Sequence, residues 1–147
     1  MKPEETIDFH LKSAWQSLSR MYNDLAQSYG GTMATGHVLL SIDSKGTPST
    51  ALGPKMGMEA TSLSRTLKVL EERQLIERSK HPSDGRVVLI HLTDEGKKMR
   101  AHARNAVIEF NSRIQELVAP SDLQAFFRVA QGITEFSASE KKSQRTI

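Results

Sequence analysis

Apolar residues recur near the start of the chain at alternating steps of four and three. Leu11, Trp15, Leu18, Tyr22, Leu25 and Tyr29 form this series, and its spacing predicts one helix over 7–29 with an a/d seam. Gly30-Gly31 ends it. Residues 32–42 predict a short second helix carrying Met33, Val38, Leu39, Leu40 and Ile42, and Ser44 to Pro48 read as a turn. A third short helix starts at Ser49 or Thr50, runs through Ala51, Leu52 and Met56, and stops at Gly57. Pro54 falls inside it and removes one backbone donor. After the tight turn Gly57-Met58-Glu59, a fourth helix is expected over 60–73, with Leu63, Leu67 and Leu70 as its core face. Thr61, Arg65, Lys68 and Glu72 point the opposite way at about 100° per residue, and Ser62 and Ser64 flank them.

The period then changes. Leu75 to Ser79 and Arg86 to Leu92 read as two strands joined by a polar tip containing Pro82, Ser83, Asp84 and Gly85. Thr93, followed by Asp94 and Glu95, is an N-cap with acids at the positive end of a new helix. That helix is expected over 93–118, and Pro120 ends it. Ser121-Asp122-Leu123-Gln124 has capping-box spacing and opens a last helix with Phe126, Phe127, Ala130, Ile133 and Phe136. Residues 137–147 are polar and expected to fray. No internal repeat is visible. The fold class predicted is mainly α with a small β-wing: one lobe spanning 31–100, with helices from both chain ends, 1–30 and 101–147, beside it.

Composition narrows the function. A chain of 147 residues is one domain or one compact module, and it can bury roughly 68–70% of its unfolded surface without a staple. Cysteine is absent, which excludes a disulfide scaffold, a thiolate zinc site, a cysteine nucleophile and a thiol redox switch. There is no bilayer-length apolar run and no signal peptide, so a cytoplasmic protein is expected, with no membrane partner. His10, His37, His81, His91 and His102 lack metal-ligand spacing, and HExxH, GxSxG and phosphate-loop motifs are missing. No catalytic residue, metal or cofactor is therefore expected, and the chain does not read as an enzyme. The net charge is only +3, but it is unevenly spread. Residues 1–44 are acidic, while 61–104 hold Arg65, Lys68, Arg73, Arg78, Lys80, Arg86, Lys97, Lys98, Arg100 and Arg104 against six acids. Solvated helix faces and a polyanion-binding surface both fit that excess.

The order of the pieces is more informative than any one of them. Two short helices around a tight turn, the second presenting hydroxyls and cations, make a helix-turn-helix. The two-stranded ribbon after it is a wing. The recognition-helix candidates are Thr61, Ser62, Ser64, Arg65 and Lys68; Arg65 can fork onto guanine O6 and N7. The wing candidates are Asp84, Gly85 and Arg86. Arg86 is placed to enter a narrow minor groove, Asp84 to pair with it, and Gly85 to permit a sharp bend. Each piece taken alone has a plainer reading: a helix pair is common in all-α domains, Asp-Gly-Arg in a hairpin is an ordinary turn, and an a/d seam is ordinary core.

The stretches "MEATSLSRTLKVLEERQLIER" (58–78) and "DGRVVLIHLTDEG" (84–96), with helical arms on both sides, resemble the multiple antibiotic resistance regulator (MarR) family. Its wing signature, Asp-x-Arg before a strand ending in Leu-Thr-x-x-Gly, is matched by Asp84-Gly85-Arg86 and Leu92-Thr93-Asp94-Glu95-Gly96. The resemblance implies winged helix-turn-helix lobes joined into a homodimer by the first and last helices. It also implies binding to a double-stranded, pseudo-palindromic operator, and repression relieved by a small aromatic or amphipathic effector. Trp15, Tyr22, Met33 and His37 lie where the family's pocket would be, although an aromatic stripe is also ordinary core. Two positions depart from the pattern: Gln74 stands where the family usually has Gly, and Pro54 interrupts the third helix. The competing expectation is a winged helix used for protein–protein assembly without DNA.

Overall fold

The computed structural model describes residues 1–144, in two compact units, Met1–Ala106 and the residues from Val107 on. The first unit opens with a 3-10 turn at Pro3–Glu5. Helix α1 (Ile7–Gln27) follows, with Thr6 Oγ1 accepting from the Phe9 amide at 3.3 Å. The helix closes on Gly30, whose φ is 72°. The Gly30 and Gly31 amides return to the carbonyls of Gln27 and Ala26, each at 2.9 Å, the paired bonds of a Schellman end. Helix α2 (Met33–Ser41) is capped twice: Thr32 Oγ1 accepts from the Thr35 amide at 3.2 Å, and Asn23 Oδ1 of α1 accepts from the Met33 amide at 2.8 Å.

The expected turn at 44–48 contains a strand. β1 (Thr47–Pro48) pairs antiparallel with β3 (Val88–Leu92), Thr47 opposite Ile90 and Pro48 opposite Leu89. Two residues are too few to leave an alternation in the sequence, and Pro48 is tolerated because β1 is an edge. β3 also pairs with β2 (Ile76–Lys80), from Ile76 opposite Leu92 to Lys80 opposite Val88, giving the strand order β1-β3-β2. β3 begins two residues later than expected, which leaves Arg86 in the turn.

Helix α3 (Ser49–Met56) continues through Pro54, which is exposed. A tether from the next residue holds α3 in place: Lys55 Nζ donates to the Ser41 carbonyl at the end of α2, at 2.8 Å, and lies 3.6 Å from Asp43. Helix α4 (Ala60–Glu72) buries Leu63, Leu67 and Leu70, the face its periodicity predicts. They pack with Val38, Leu39, Ile42, Leu52, Leu75, Ile76 and Ile90, and Met56, Met58, Leu92 and Met99 close the margin.

The join between α4 and β2 is the tightest part of the lobe. Gln74 has φ 58°, the left-handed conformation that favours glycine. The Gln74 and Leu75 amides return to the carbonyls of Glu71 and Leu70, each at 2.9 Å. Thr93, just past the end of the neighbouring strand β3, then binds this turn. Its amide donates to the Leu75 carbonyl at 3.1 Å and its hydroxyl to the Gln74 carbonyl at 2.7 Å, while the same oxygen accepts from the Gly96 amide at 3.0 Å. A Cβ on Gly96 would lie well inside contact distance of the Leu75 carbonyl oxygen. The Leu-Thr-x-x-Gly run is thus a lock, in which threonine makes the bonds and glycine makes the room.

Helix α5 (Asp94–Leu117) runs from the first unit into the second, where α6 (Pro120–Gln144) follows. Two expectations change here. Pro120 begins α6 instead of only ending α5, because its fixed φ suits a first helical turn and its missing amide is not needed there. The Asp122 and Leu123 amides fold back to the Ala119 carbonyl at 3.0 and 3.2 Å, so the helix starts ahead of Ser121. The helix also continues past Phe136 to Gln144 instead of fraying from 137, since Ala138, Glu140 and Lys141 are good helix formers. Residues 145–147 lie outside the described part.

Replacing Gln74 by Gly removes a left-handed penalty of about 1–2 kcal/mol and returns part of it to the freer unfolded chain. Gln74→Gly should therefore stabilise by about 0.5–1 kcal/mol, and Gly96→Ala should destabilise by about 1–3 kcal/mol through overpacking. Urea unfolding midpoints of the two variants check both signs.

Candidate nucleic-acid interface

With its three leucines fixed in the core, α4 turns the rest of its surface outward. Thr61, Ser62, Ser64, Arg65 and Lys68 are all exposed. Neither Arg65 nor Lys68 joins an ion pair among the described residues, so both cations are available to an outside partner. Val69, 40% exposed, adds an apolar spot on the flank. Thr66 is occupied locally, its hydroxyl donating to the Ser62 carbonyl at 3.0 Å.

The wing stands next to this helix and is tied to it. Arg78 of β2 donates from Nε to Glu71 Oε2 of α4 at 2.8 Å. Ser79 Oγ and His91 Nε2 join β2 to β3 at 2.9 Å. The tip closes by bonds from the His81 amide to the Val87 carbonyl (2.9 Å) and from the Val87 amide to the Asp84 carbonyl (3.0 Å). The Ser83 amide donates to His81 Nδ1 at 3.0 Å. Asp84 then grips Arg86 at three points. Oδ1 accepts from the Arg86 amide at 3.1 Å and from Nε at 3.2 Å, and Oδ2 accepts from Nη2 at 3.4 Å. The arginine side chain is nevertheless 91% exposed. The carboxylate therefore sets the direction of the guanidinium without burying it. Gly85 behaves differently from its expected role. It is absent from the positive-φ glycines, and a Cβ there would meet nothing within 4 Å, so the turn needs no glycine.

The proposed pocket residues sit in mixed surroundings. Trp15 is 57% exposed and His37 is exposed, while Tyr22 and Met33 are half-buried. Burial pushes the Tyr22 phenol up from its ordinary value, keeping it a neutral hydroxyl. Sequence reasoning missed the partner of Arg73, which donates from Nη2 to the Tyr29 carbonyl at 2.7 Å across 44 positions. No local pattern announces so long a contact; the doubled Gly30-Gly31 is the one sign that something must approach there. Among the described residues no group of three or more His, Asp or Glu could hold a metal, and no helix is long and apolar enough to cross a membrane.

Hydrogen bonds from the Arg86 side chain and amide hold the Asp84 carboxyl below its ordinary value of 3.8. A depressed folded value gives stabilisation that is full above the unfolded value and lost as pH falls through the folded one. The clasp should accordingly persist from neutral pH to below about pH 4. An NMR titration of the Arg86 Nε–H and the Asp84 carboxyl checks this. Gly85→Ala should leave the melting temperature within about 0.5 kcal/mol equivalent of the parent.

Comparison with known proteins agrees with this geometry. Residues 32–88 match the model of the MarR family. An uncharacterized HTH-type transcriptional regulator of Bacillus subtilis (strain 168), YhbI, is 29% identical over 97 residues, covering 65% of this chain and 63% of the relative; the match thus spans less than two thirds of that protein. A MarR family transcription regulator of known structure superposes with a TM-score of 0.79 at 22% identity, over 89% of this chain and 87% of its own. The repressor CouR bound to a 23-mer DNA duplex gives a TM-score of 0.77 at 26% identity, over 89% and 94%. CouR from Rhodococcus jostii RHA1 is also known bound to p-coumaroyl-CoA (TM-score 0.78, 23% identity, 90% and 94% coverage). Residues 32–88 thus carry the similarity to the MarR family, and the winged-helix fold along most of the described length is the one found in MarR family regulators of known structure.

Proposed function

We propose that the chain is a sequence-specific DNA-binding transcription regulator, acting as a homodimeric repressor that a small ligand releases from its operator. The observation that carries the reading is the juxtaposition of two unpaired cations and a set of hydroxyls on α4 with an exposed, carboxylate-held arginine on the wing. In this reading α4 enters the major groove. Thr61, Ser62 and Ser64 permit close approach, Arg65 reads guanine, and Lys68 meets phosphate. Arg86, at the wing tip, enters the adjacent minor groove, where narrow A·T-rich stretches attract a guanidinium. Asp84 holds it extended, which lowers the entropy lost on binding. CouR, a relative in fold, is bound to a DNA duplex.

The homodimer is supported by apolar side chains that the chain leaves uncovered. α1 buries no residue, and Ile7, Phe9, Trp15 and Leu25 are exposed on or beside its seam. In the second unit Phe126, Phe127, Val129 and Phe136 are exposed on α6. So much apolar surface on two long helices is what a two-fold partner would cover. Recognition helices would then meet half-sites of a pseudo-palindromic operator about 34–36 Å apart. Trp15, Tyr22, Met33 and His37 are the side chains assigned to an effector of aromatic or amphipathic character, as CouR binds p-coumaroyl-CoA.

The two arginines should fail differently. Arg65→Ala should weaken the cognate site and flatten preference at one position per half-site, a loss of about 1–3 kcal/mol of discrimination. Arg86→Ala should lower affinity across sequences, keeping base preference in the major groove, and Asp84→Ala should give a weaker form of that defect. Titrations against cognate, half-site-mutated and random duplexes, beside thermal melts, check the set. A folded Arg86→Ala variant that binds as the parent does would favour protein–protein assembly instead.

A further inference from the structure

The end of α1 and the end of α4 meet at a single hydrogen bond. Arg73, the residue after the last turn of α4, donates from Nη2 to the Tyr29 carbonyl at 2.7 Å. The space for its guanidinium is made by two glycines. A Cβ on Gly30 would lie 3.3 Å from Nη2, and one on Gly31 would lie 3.6 Å from Nη1. Gly30 is already required by its φ of 72°. Gly31 is not at positive φ, and its need is room: a Cβ there would also press on Thr35 Oγ1 at 2.8 Å. The pair therefore forms a cradle at the C-terminus of α1, where the helix dipole favours a cation.

Tyr29 is held from its other side as well. Its ring stacks on His102 of α5, with centroids 4.3 Å apart and planes at 24°. The residue next to Arg73 is Gln74, whose carbonyl receives the Thr93 hydroxyl at the head of α5. The C-terminus of α4 is thus bonded to the end of α1 through Arg73 and to the start of α5 through Gln74.

We propose that Arg73 is a positioning residue that fixes the recognition helix relative to α1, and so sets which half-site spacing the dimer accepts. This rests on the reading of the chain as a DNA-binding homodimer joined through α1. One base pair of added spacing moves a half-site by about 3.4 Å and turns it by about 35°. A rigidly held helix cannot follow that displacement; a helix released from α1 can.

The experiment first selects an operator from random duplex with the parent protein, then measures affinity for duplexes whose half-site spacing is changed by one or two base pairs. The parent should lose about tenfold or more per base pair, in the range of a mismatched position. Arg73→Ala should bind the best spacing less tightly and lose about threefold or less per base pair. Arg73→Lys, which keeps the charge without the planar fork, should fall between them. A second measurement needs no DNA. Because the chain has no cysteine, Lys12→Cys and Lys68→Cys accept spin labels at α1 and α4, and labelled chains diluted into unlabelled ones report the distance within one chain. That distribution should be narrow in the parent and broad with Arg73→Ala. An unchanged spacing profile with a narrow distribution in folded Arg73→Ala overturns the proposal while leaving DNA binding intact. A parent that selects no sequence overturns the DNA reading and the spacing role with it, even where the distance distribution broadens.

Discussion

The lobe depends on one hydroxyl. Thr93 Oγ1 donates to the Gln74 carbonyl and accepts from the Gly96 amide, while the Thr93 amide donates to the Leu75 carbonyl. These bonds join the end of α4, the first residue after its turn, the end of β3 and the first turn of α5. Backbone groups at such a join must find partners, and here the Thr93 hydroxyl serves two of them, the Gln74 carbonyl and the Gly96 amide, while the Thr93 amide and the Leu75 carbonyl pair directly. Helix α4 is therefore fixed at its C-terminal end, with its buried leucines fixing the roll. The wing, whose strands leave from the same knot, has no freedom to be elsewhere.

From that constraint the charge pattern acquires a geometry. The excess of cations between 61 and 104 divides into several kinds of work. Arg78 is spent on Glu71 and Lys98 on Glu95, bonds between exposed groups that contribute little individually. Arg73 is directed inward, to the end of α1. Arg65 and Lys68 face outward in no ion pair among the described residues, and Arg86 is paired yet almost fully exposed. A count of charges does not separate these groups; their neighbours do. Asp84 belongs with the cations functionally, because a carboxylate that orients an arginine at the surface reduces net charge while sharpening where the remaining field points.

Most of this is readable in the periodicity of the sequence. The core of α4 follows from Leu63, Leu67 and Leu70 alone, and Thr93 announces α5 because a hydroxyl before two acids is chemically an N-cap. The Asp84–Arg86 pair was legible because two residues suffice for the carboxylate to reach both amide and guanidinium. What stayed hidden has physical reasons. β1 is two residues long, below the length at which alternation exists. α6 runs on through a polar segment because helix propensity, without an apolar stripe, leaves no period to detect. Gln74 in a left-handed conformation contradicts its own preference and persists only because Thr93 and the returning amides over-determine it. Gly85 stands where a turn suggests a conformational need for glycine, yet its φ requires none. Arg73 contacts a carbonyl 44 residues away, and one sequence carries no signal for that distance.

The central claim is that the outward faces of α4 and the wing meet a DNA duplex, and the dependence of affinity on salt tests it most directly. With about 6–10 phosphates neutralised by a dimer, log affinity should fall linearly with log salt, losing about 10³–10⁵ between 50 and 200 mM, and the slope should shrink by about one for each phosphate-contacting lysine removed per dimer. Affinity that does not change over that range, or no affinity for duplex at low salt, would contradict the account.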